Sequence, residues 1–362
     1  MPSRDLPRTM PAVVCHGPHD YRLEELPTPV AGPGEVVIEV EACGVCAGDA
    51  KCFGGAPLFW GDDRRTGYVQ PPITPGHEFV GIVVALGEGA AERHRLALGD
   101  RAIAEQIVPC GACRFCRRGQ YWMCQVHDIF GFRQAAPGGM ARYMKFPAGA
   151  LCHRVPTSIS RAAAAMIEPL SCSIHAVQRG DIELGDTVVV AGCGPLGLGM
   201  VGAAKLKNPG LLIAVDMNDE RLALARRLGA DLTLNPAHDD IVDRVRELTD
   251  GYGCDVYIEA SGHPAAVVQG LHAIRKLGTF VEFSVMAEPV SVDWTIIGDS
   301  KELNIHGAHL GPYCYPLAID AIERGLIDVA PIVSHELPLE RFAEAFELVH
   351  DGRESLKVLL VP

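Results

Sequence analysis

The chain has 362 residues, of which 48% are hydrophobic and 21% are charged, and its formal net charge at pH 7 is −13. This length exceeds the size at which a single hydrophobic core usually divides, so we expect two domains. The acidic charge argues against nucleic acid or an anionic membrane as the main partner. We find neither an apolar run that spans a bilayer nor a signal-peptide pattern, and we therefore expect a cytoplasmic protein.

The first 150 residues predict a small β-barrel with long loops. Apolar and polar residues alternate with a period of two at 35–42, and further strands are indicated at 79–87 and 100–104. Glycine and proline separate these segments, as is typical of short strands joined by turns.

Two short stretches of this region carry metal-ligand chemistry. Cys46 follows the first predicted strand, and His77 and Glu78 follow a Pro-Gly turn. A thiolate, an imidazole and a carboxylate suit a zinc ion that keeps an open coordination position. The pattern therefore predicts a catalytic metal.

A second metal site is indicated by cysteine spacing. The chain has 13 cysteines, an odd number, and four of them fall within fifteen positions: Cys110, Cys113, Cys116 and Cys124. Four thiolates complete a tetrahedral zinc and leave no position for a substrate, so this site is predicted to be structural. An iron–sulfur cluster takes the same four ligands and is the alternative.

The second half of the chain changes to an alternation of short apolar strands and helices. Strands are predicted at 187–191, 211–216, 231–234, 255–260 and 279–283, with helical segments between them, of which the last spans 265–277. Strands that are apolar throughout and alternate with helices predict a doubly wound parallel sheet, so the fold class is α/β.

The first turn of this second region predicts a dinucleotide site. Gly192, Gly194 and Gly197 follow a strand directly and open a helix, which lets the pyrophosphate approach the helix N-terminus. Asp216 ends the next strand. A carboxylate there accepts hydrogen bonds from the ribose hydroxyls and repels a 2′-phosphate, so the cofactor is predicted to be NAD rather than NADP.

Together these motifs resemble the zinc-dependent, medium-chain alcohol and polyol dehydrogenases over nearly the whole chain, from about Ala12 to Val361. Glu168-Pro-Leu is similar to the sorbitol, butanediol and threonine dehydrogenases of this family. The segment from Cys46 to Lys51, with Phe59 and Trp60, resembles members that act on the four-carbon polyols erythritol and threitol.

The resemblance implies a GroES-like β-barrel catalytic domain at 1–165 and 306–362, with the structural zinc lobe at about 105–126. A Rossmann NAD-binding domain then occupies 166–305. The final strand rejoins the first domain. The resemblance also implies a homo-oligomer, either a tetramer or a dimer.

Site residues carried over from the family fall into three groups. Cys46 and His77 match ligands of the catalytic zinc, and Glu78 and Glu168 match two carboxylates of which either is the direct ligand. Asp49 matches an inner acid that orients groups near the metal. Further positions match the cofactor site: Leu196, Asp216, Arg221, Phe283, Ser284, Val285, Ala308 and His309.

The chain departs from the family at the route of the substrate proton. Relatives commonly begin this relay with a Ser or Thr and continue it with a His, where this chain has Gly48 and Lys51. Lys51 is a candidate replacement, and a surface lysine or an ion pair with Asp49 is the alternative. Sugar contacts of sorbitol-type members are replaced by Cys52 and by Leu310-Gly311.

The expected activity is the reversible, zinc- and NAD-dependent oxidation of a secondary hydroxyl of a short polyol or diol to a ketone. Erythritol or threitol, giving erythrulose, is the substrate that we expect first. A butanediol, sorbitol, threonine or simple secondary-alcohol dehydrogenase is the alternative. A non-enzymatic zinc-binding module is a third interpretation, which the acidic charge and the complete ligand motifs oppose.

Overall fold

The computed structural model describes residues 6–286 and 288–362. The chain forms two compact units, of which the first contains Met1–Glu168 and Val329–Pro362 and the second contains Pro169–Asp328. Residues 306–328, which the domain prediction assigned to the first domain, therefore lie in the second unit.

Strands account for most of the regular secondary structure of the first unit and alternate with helices in the second. In chain order they are β1 (Thr9–Gly17), β2 (Asp20–Pro27), β3 (Val36–Val45), β4 (Glu78–Leu86), β5 (Arg101–Ala104), β6 (Ile107–Val108), β7 (Asp128–Ile129), β8 (Tyr143–Phe146), β9 (Cys152–Arg154), β10 (Thr187–Ala191), β11 (Leu211–Val215), β12 (Leu232–Leu234), β13 (Cys254–Glu259), β14 (Ile274–Glu282), β15 (Asn304–Gly307), β16 (Val333–Pro338) and β17 (Lys357–Val361).

The helices differ in length. They are α1 (Ala47–Phe53), α2 (Pro57–Trp60), α3 (Ala90–His94), α4 (Arg161–Ala165), α5 (Ile167–Arg179), α6 (Pro195–Lys205), α7 (Asp219–Arg227), α8 (Ile241–Glu247), α9 (Pro264–Ala273), α10 (Tyr315–Glu323) and α11 (Phe342–Asp351). Helices α1 to α4 are short, and α11 of the first unit is as long as most helices of the second. Among the residues that the structure describes, none of these helices combines the length and the apolar character needed to cross a membrane.

The first unit is organised around a mixed sheet in the order β16-β17-β3-β4-β5-β9, with β8 paired to β3. Strand β17, from the end of the chain, runs antiparallel to β3, and Leu360 lies opposite Cys43. Leu360 is fully buried among the core side chains of this unit. The expected return of the final strand to the first domain is therefore confirmed.

The second unit contains a parallel sheet in the order β12-β11-β10-β13-β14-β15. The chain starts in the middle at β10, builds outward to β12, and then resumes at β13 on the other side. Loops that follow β10 and β13 therefore diverge, which is where parallel sheets of this type bind ligands. The predicted doubly wound parallel sheet is confirmed.

One predicted helix end in this unit is wrong. The periodicity predicts that α9 continues to Leu277, but the helix ends at Ala273. Ile274 is already the first residue of β14 and pairs with Cys254 of β13. Strand pairing therefore determines the end of this helix, and its own apolar pattern does not.

We expect Leu360→Ala to destabilise the protein by about 2–5 kcal/mol, because it opens a cavity where β17 packs into the core of the first unit. Urea unfolding of the full chain measures the change. Leu98→Ala is the matched control, since Leu98 is 38% exposed and its truncation leaves no buried cavity. Equal stability of the two variants contradicts a structural role for the final strand.

Candidate active site

The pairing of β3 with β4 brings the first set of predicted ligands together. Gly44 lies opposite Glu78 in the antiparallel register, and Cys46 follows two residues after Gly44. One ligand atom from each of Cys46, His77 and Glu78 lies within 4.8 Å of the others. A Cβ atom on residue 44 would lie 2.1 Å from Glu78 Oε2, so only glycine leaves room for this carboxylate.

Asp49 holds two of these groups in place. Its Oδ2 accepts a hydrogen bond of 2.9 Å from the Cys46 backbone N–H and so caps α1. Its Oδ1 lies 3.5 Å from His77 Nδ1. The Asp49 side chain is 1% exposed, so water does not compete for these contacts. Neither Asp49 Oδ1 nor His77 Nδ1 has a hydrogen-bond partner among the described residues, so the contact between them is electrostatic. A carboxylate in this position behind a histidine favours one ring orientation and leaves the other ring nitrogen for a metal.

The charges around His77 favour a cation. Burial lowers the pKa of His77, but the Asp49 carboxylate and the Cys46 sulfur oppose burial and hold the pKa well above its usual value. The site therefore stabilises a positive charge beside the imidazole. A zinc ion supplies such a charge, and its preferred donors are sulfur, imidazole nitrogen and carboxylate oxygen. The residues present thus fit zinc.

Glu78 is paired with a lysine from the end of the chain. Lys357 Nζ lies 2.7 Å from Glu78 Oε1 and 2.6 Å from Oε2, and both side chains are buried. Burial lowers the pKa of Lys357, but the nearby carboxylate of Glu78 more than offsets this, and the pKa lies above its usual value. Lys357 is therefore charged and neutralises the carboxylate that adjoins Cys46 and His77.

Glu168 lies apart from the three closely placed ligands. It is buried in the first turn of α5, and Gln106 Nε2 donates a hydrogen bond to its Oε1. Within residues 6–286 and 288–362, the group of mutually close ligand atoms contains Glu78 and does not contain Glu168. The assignment of either carboxylate as a direct ligand stays a prediction.

The four predicted structural cysteines also come together. Their sulfur atoms lie within 4.8 Å of one another, with 3.5 Å between those of Cys113 and Cys116. The backbone N–H groups of Cys116 and Gln125 donate to Cys113 Sγ and lower the pKa of its thiol to about 6. Thiolates are the form that binds metal, so the lobe fits a four-sulfur zinc site.

Aromatic rings surround one side of His77. The Phe132 ring lies 5.5 Å from the His77 ring and stacks on Phe59 at 5.2 Å between centroids. Phe59 Cζ lies 3.8 Å from the position that a Cβ atom of residue 48 would take, and Cys46 Sγ lies 3.6 Å from it. Phe59 therefore lies close to Cys46. Trp60 Nε1 donates to Cys52 O, which anchors the same loop.

Lys51 and the residues that replace the sugar contacts are also defined. Lys51 is half-buried in the last turn of α1. Cys52 is 1% exposed and accepts a hydrogen bond from the Tyr21 hydroxyl, so its sulfur faces protein. The role of Lys51 in proton transfer stays a prediction.

In the second unit the predicted cofactor residues gather at the carboxyl ends of the strands. Gly192 has φ +103°, and a Cβ atom there would lie 2.7 Å from the backbone of Ala260 and Ser261. Asp216 Oδ2 accepts a hydrogen bond of 2.7 Å from Cys193 N, so the acid is tied to the same turn. Gly194 is the N-cap residue of α6. The other predicted residues lie in helices α6 and α7 or just after β14 and β15: Leu196, Gly197, Arg221, Phe283, Ser284, Val285, Ala308 and His309.

Three residues of the first site were not predicted from the sequence: Lys357, Gln106 and Phe132. A lysine at the start of an apolar strand is the weak signal for Lys357. Gln106 and Phe132 carry no sequence signal, because each reaches the site through tertiary packing alone.

Comparisons with known proteins agree with this geometry. Residues 32–157 match the alcohol dehydrogenase GroES-like domain, and residues 195–324 match the zinc-binding dehydrogenase domain. The chain is 54% identical over 360 residues to the erythritol/L-threitol dehydrogenase of Mycolicibacterium smegmatis, covering 99% of each protein. It is 34% identical to the L-threonine 3-dehydrogenase of Bacillus velezensis, covering 94% of this chain and 95% of that protein.

A solved structure extends the comparison to three dimensions. A zinc-binding dehydrogenase from Sinorhizobium meliloti, bound to NADP, superimposes with a TM-score of 0.87 at 28% identity, covering 98% of this chain and 99% of the other. The GroES-like and Rossmann fold prediction is confirmed by these matches.

We expect Lys357→Met to destabilise the protein by roughly 3–5 kcal/mol, because it leaves the Glu78 carboxylate buried without its partner. The double variant Lys357→Met/Glu78→Gln removes the unpaired charge and regains at least half of this loss. Lys145→Met is the control: Lys145 pairs with Glu35 at the surface, and its loss costs about 1 kcal/mol or less. Urea unfolding measures all three, and a stable Lys357→Met variant contradicts the role given to this pair.

Proposed function

Because the chain belongs to the family of zinc-dependent, medium-chain alcohol and polyol dehydrogenases, we propose that it oxidises a secondary hydroxyl of erythritol or threitol to give erythrulose, with NAD as the hydride acceptor. The observation that carries this proposal is the convergence of Cys46, His77 and Glu78 within 4.8 Å. The 54% identity to an erythritol/L-threitol dehydrogenase supports the four-carbon substrate.

Each residue of the site has a proposed role. A zinc ion bound by Cys46 and His77 supplies Lewis-acid chemistry that lowers the pKa of a substrate hydroxyl. Asp49 orients both ligands, through the Cys46 N–H and His77 Nδ1. Glu78, neutralised by Lys357, contributes a carboxylate beside the metal without adding a net negative charge. Glu168, held by Gln106, is placed to accept a hydrogen bond from a vicinal hydroxyl of the polyol.

Two aromatic rings near His77 support a short substrate. Phe59 stacks on Phe132, Phe132 lies beside His77, and we infer that the two rings limit the length of a bound polyol. The positions where the sorbitol-type relatives contact sugar hydroxyls have no equivalent donors, since Cys52 is buried against Tyr21. A chain of four carbons has fewer hydroxyls to satisfy. This arrangement therefore favours a four-carbon polyol over sorbitol.

The cofactor is proposed to be NAD. The Asp216 carboxylate is fixed by the N–H groups of Cys193 and Asn218, at 2.7 and 2.8 Å. Its remaining lone pairs are available to ribose hydroxyls, while a 2′-phosphate would meet a fixed negative charge. Because the similar protein from Sinorhizobium meliloti is bound to NADP, the activity of this protein should be measured with both NAD and NADP.

We also propose a cytoplasmic homo-oligomer. No disulfide joins the described cysteines, as is usual in a reducing compartment.

Strand β15 is the last strand of the second unit's sheet, and its residues are largely exposed. An unpaired strand edge is a template for a second copy of the same strand. A dimer or tetramer in mass photometry supports this, and a monomer contradicts it.

The activity is tested by a screen of NAD reduction over C3–C6 polyols, 2,3-butanediol, sorbitol and threonine, with NADP as a parallel acceptor. We expect kcat/KM with NAD to be highest for erythritol or threitol, by about tenfold or more over sorbitol, a difference of about 1.4 kcal/mol in transition-state binding. A preference for threonine or butanediol overturns the substrate assignment and retains the enzyme class. No reduction of either cofactor by any substrate contradicts an enzymatic role.

Lys51 is proposed to carry the substrate proton, because Gly48 has no hydroxyl to begin the usual relay. We expect Lys51→Met to lower kcat by about 10- to 100-fold and to change its pH profile, as the loss of a proton-transfer group does. Zinc content should not change. Lys207→Met, which removes a lysine from the second unit, is the control. An unchanged kcat with an unchanged pH profile excludes Lys51 from the mechanism.

A further inference from the structure

Two carboxyl groups lie side by side at the carboxyl edge of the second unit's sheet. Glu259 ends β13 and Glu282 ends β14, and the two residues are paired in the parallel register. Neighbouring residues in register project from the same face of a sheet. Glu259 is fully buried, and Glu282 is half-buried. Neither glutamate belongs to the zinc or ribose sites described above.

Each of these carboxyl groups has one buried oxygen without a hydrogen-bond partner. Among the described residues, Glu259 Oε2 and Glu282 Oε1 are both orphaned in this way. Glu259 Oε1, in contrast, accepts hydrogen bonds from the N–H groups of Ser261 and Gly262, at 2.8 and 3.0 Å. A buried carboxylate oxygen without a partner is costly, and the negative charge of Glu259 makes it costlier to ionise Glu282. A single proton retained by the pair lowers both costs.

We propose that Glu259 and Glu282 share one proton, and that this proton holds the loops that follow β13 and β14 in contact with each other at the cofactor site. The geometry links the pair to the dinucleotide turn in two steps. The backbone of Ala260 and Ser261 packs directly against Gly192. A Cβ atom on Gly262 would lie 3.4 Å from Val285 O, so the two loops are in contact with each other.

The electrostatics of the pair agree with a retained proton. Burial and the negative charge of Glu259 raise the pKa of Glu282 to about 7, and the Ser284 N–H opposes this only in part. Among the described residues, Glu259 is the charged group that acts on Glu282. The histidines on the elements packed against β14 face away from Glu282 or are exposed. His306 of β15 is in register with Val281, so it faces away from Glu282 and bonds Arg179 O. His263 and His272, at the two ends of α9, are exposed.

The sign of the pH effect follows from this raised pKa. The stabilising contribution of the protonated pair is complete below about pH 4.5, the ordinary value for a glutamic acid, and is lost as the pH rises through about 7. Above that pH the proton leaves to solvent, and two carboxylates repel each other behind the loops. The loops then separate, and the dinucleotide site loses affinity. The effect on the cofactor rests on the proposed NAD site, but the shared proton does not.

The test compares the zinc-loaded wild-type protein with Glu282→Gln and Glu288→Gln. Glutamine at 282 keeps the side-chain volume and donates permanently to Glu259, whereas Glu288 is an exposed carboxyl nearby. Infrared spectra should show a carboxylic acid C=O band in the wild type that disappears between about pH 6 and pH 9, when ordinary carboxyls are already ionised. The band should persist in Glu288→Gln and be absent from Glu282→Gln.

Cofactor binding is measured on the same proteins by NADH fluorescence. We expect the wild-type Kd to rise by at least about threefold from pH 6 to pH 9, the Glu282→Gln Kd to stay constant, and Glu288→Gln to follow the wild type. The thermal midpoint of the wild type should also fall relative to Glu282→Gln over this range. Absence of the band, or an equal pH dependence of the NADH Kd in wild type and Glu282→Gln, overturns the proposal that a shared proton holds the two loops together. A titrating band without NADH binding at any pH supports the shared proton, but overturns its link to the cofactor and the proposed NAD site.

Discussion

The site depends on the antiparallel pairing of Gly44 with Glu78. This single register places Cys46, which follows β3, beside His77 and Glu78, which open β4. Because Gly44 has no side chain, the Glu78 carboxylate fits against the backbone of β3. Asp49 then accepts a hydrogen bond from the Cys46 N–H and lies beside the His77 imidazole. Lys357 neutralises the Glu78 carboxylate. A shift of the register by one residue would turn each side chain to the opposite face and separate the ligands.

In the second unit, parallel strand order brings the predicted cofactor residues together. The carboxyl ends of its parallel strands all lie at one edge of the sheet. The Gly192 turn, Asp216 and the loops after β13 and β14 therefore meet at that edge, and the parallel sheet alone is enough to bring them together. Burial of that edge has a consequence for charge, since two glutamates meet in register at Glu259 and Glu282. Lys357 neutralises the buried Glu78 carboxylate. The described residues in register with Glu259 and Glu282 on the neighbouring strands, Ala191 and Gly307, carry no charge, and we propose that a proton takes the place of a cation there.

Much of this could be predicted from the sequence, because the signals are local. The alternation of apolar strands with helices indicated the parallel sheet, and the close spacing of four cysteines predicted a cluster that the structure brings together. Contacts across long sequence distances could not be predicted. Lys357 is far from Glu78 in the sequence, and only the return of β17 to β3 brings them together. The pairing of Glu259 with Glu282 likewise depends on strand register, and the end of α9 was mispredicted because β14 begins within its apolar pattern.

Cys46, His77 and Glu78 are proposed to hold a catalytic zinc ion that is separate from the ion of the four-cysteine lobe. Zinc content per chain, measured by mass spectrometry on the wild type and on Cys46→Ser, distinguishes the two sites. We expect about two zinc ions per chain in the wild type and about one in Cys46→Ser, with NAD reduction abolished in that variant and its fold retained. Two zinc ions in folded Cys46→Ser, or undiminished NAD reduction by it, would rule out a catalytic zinc at Cys46.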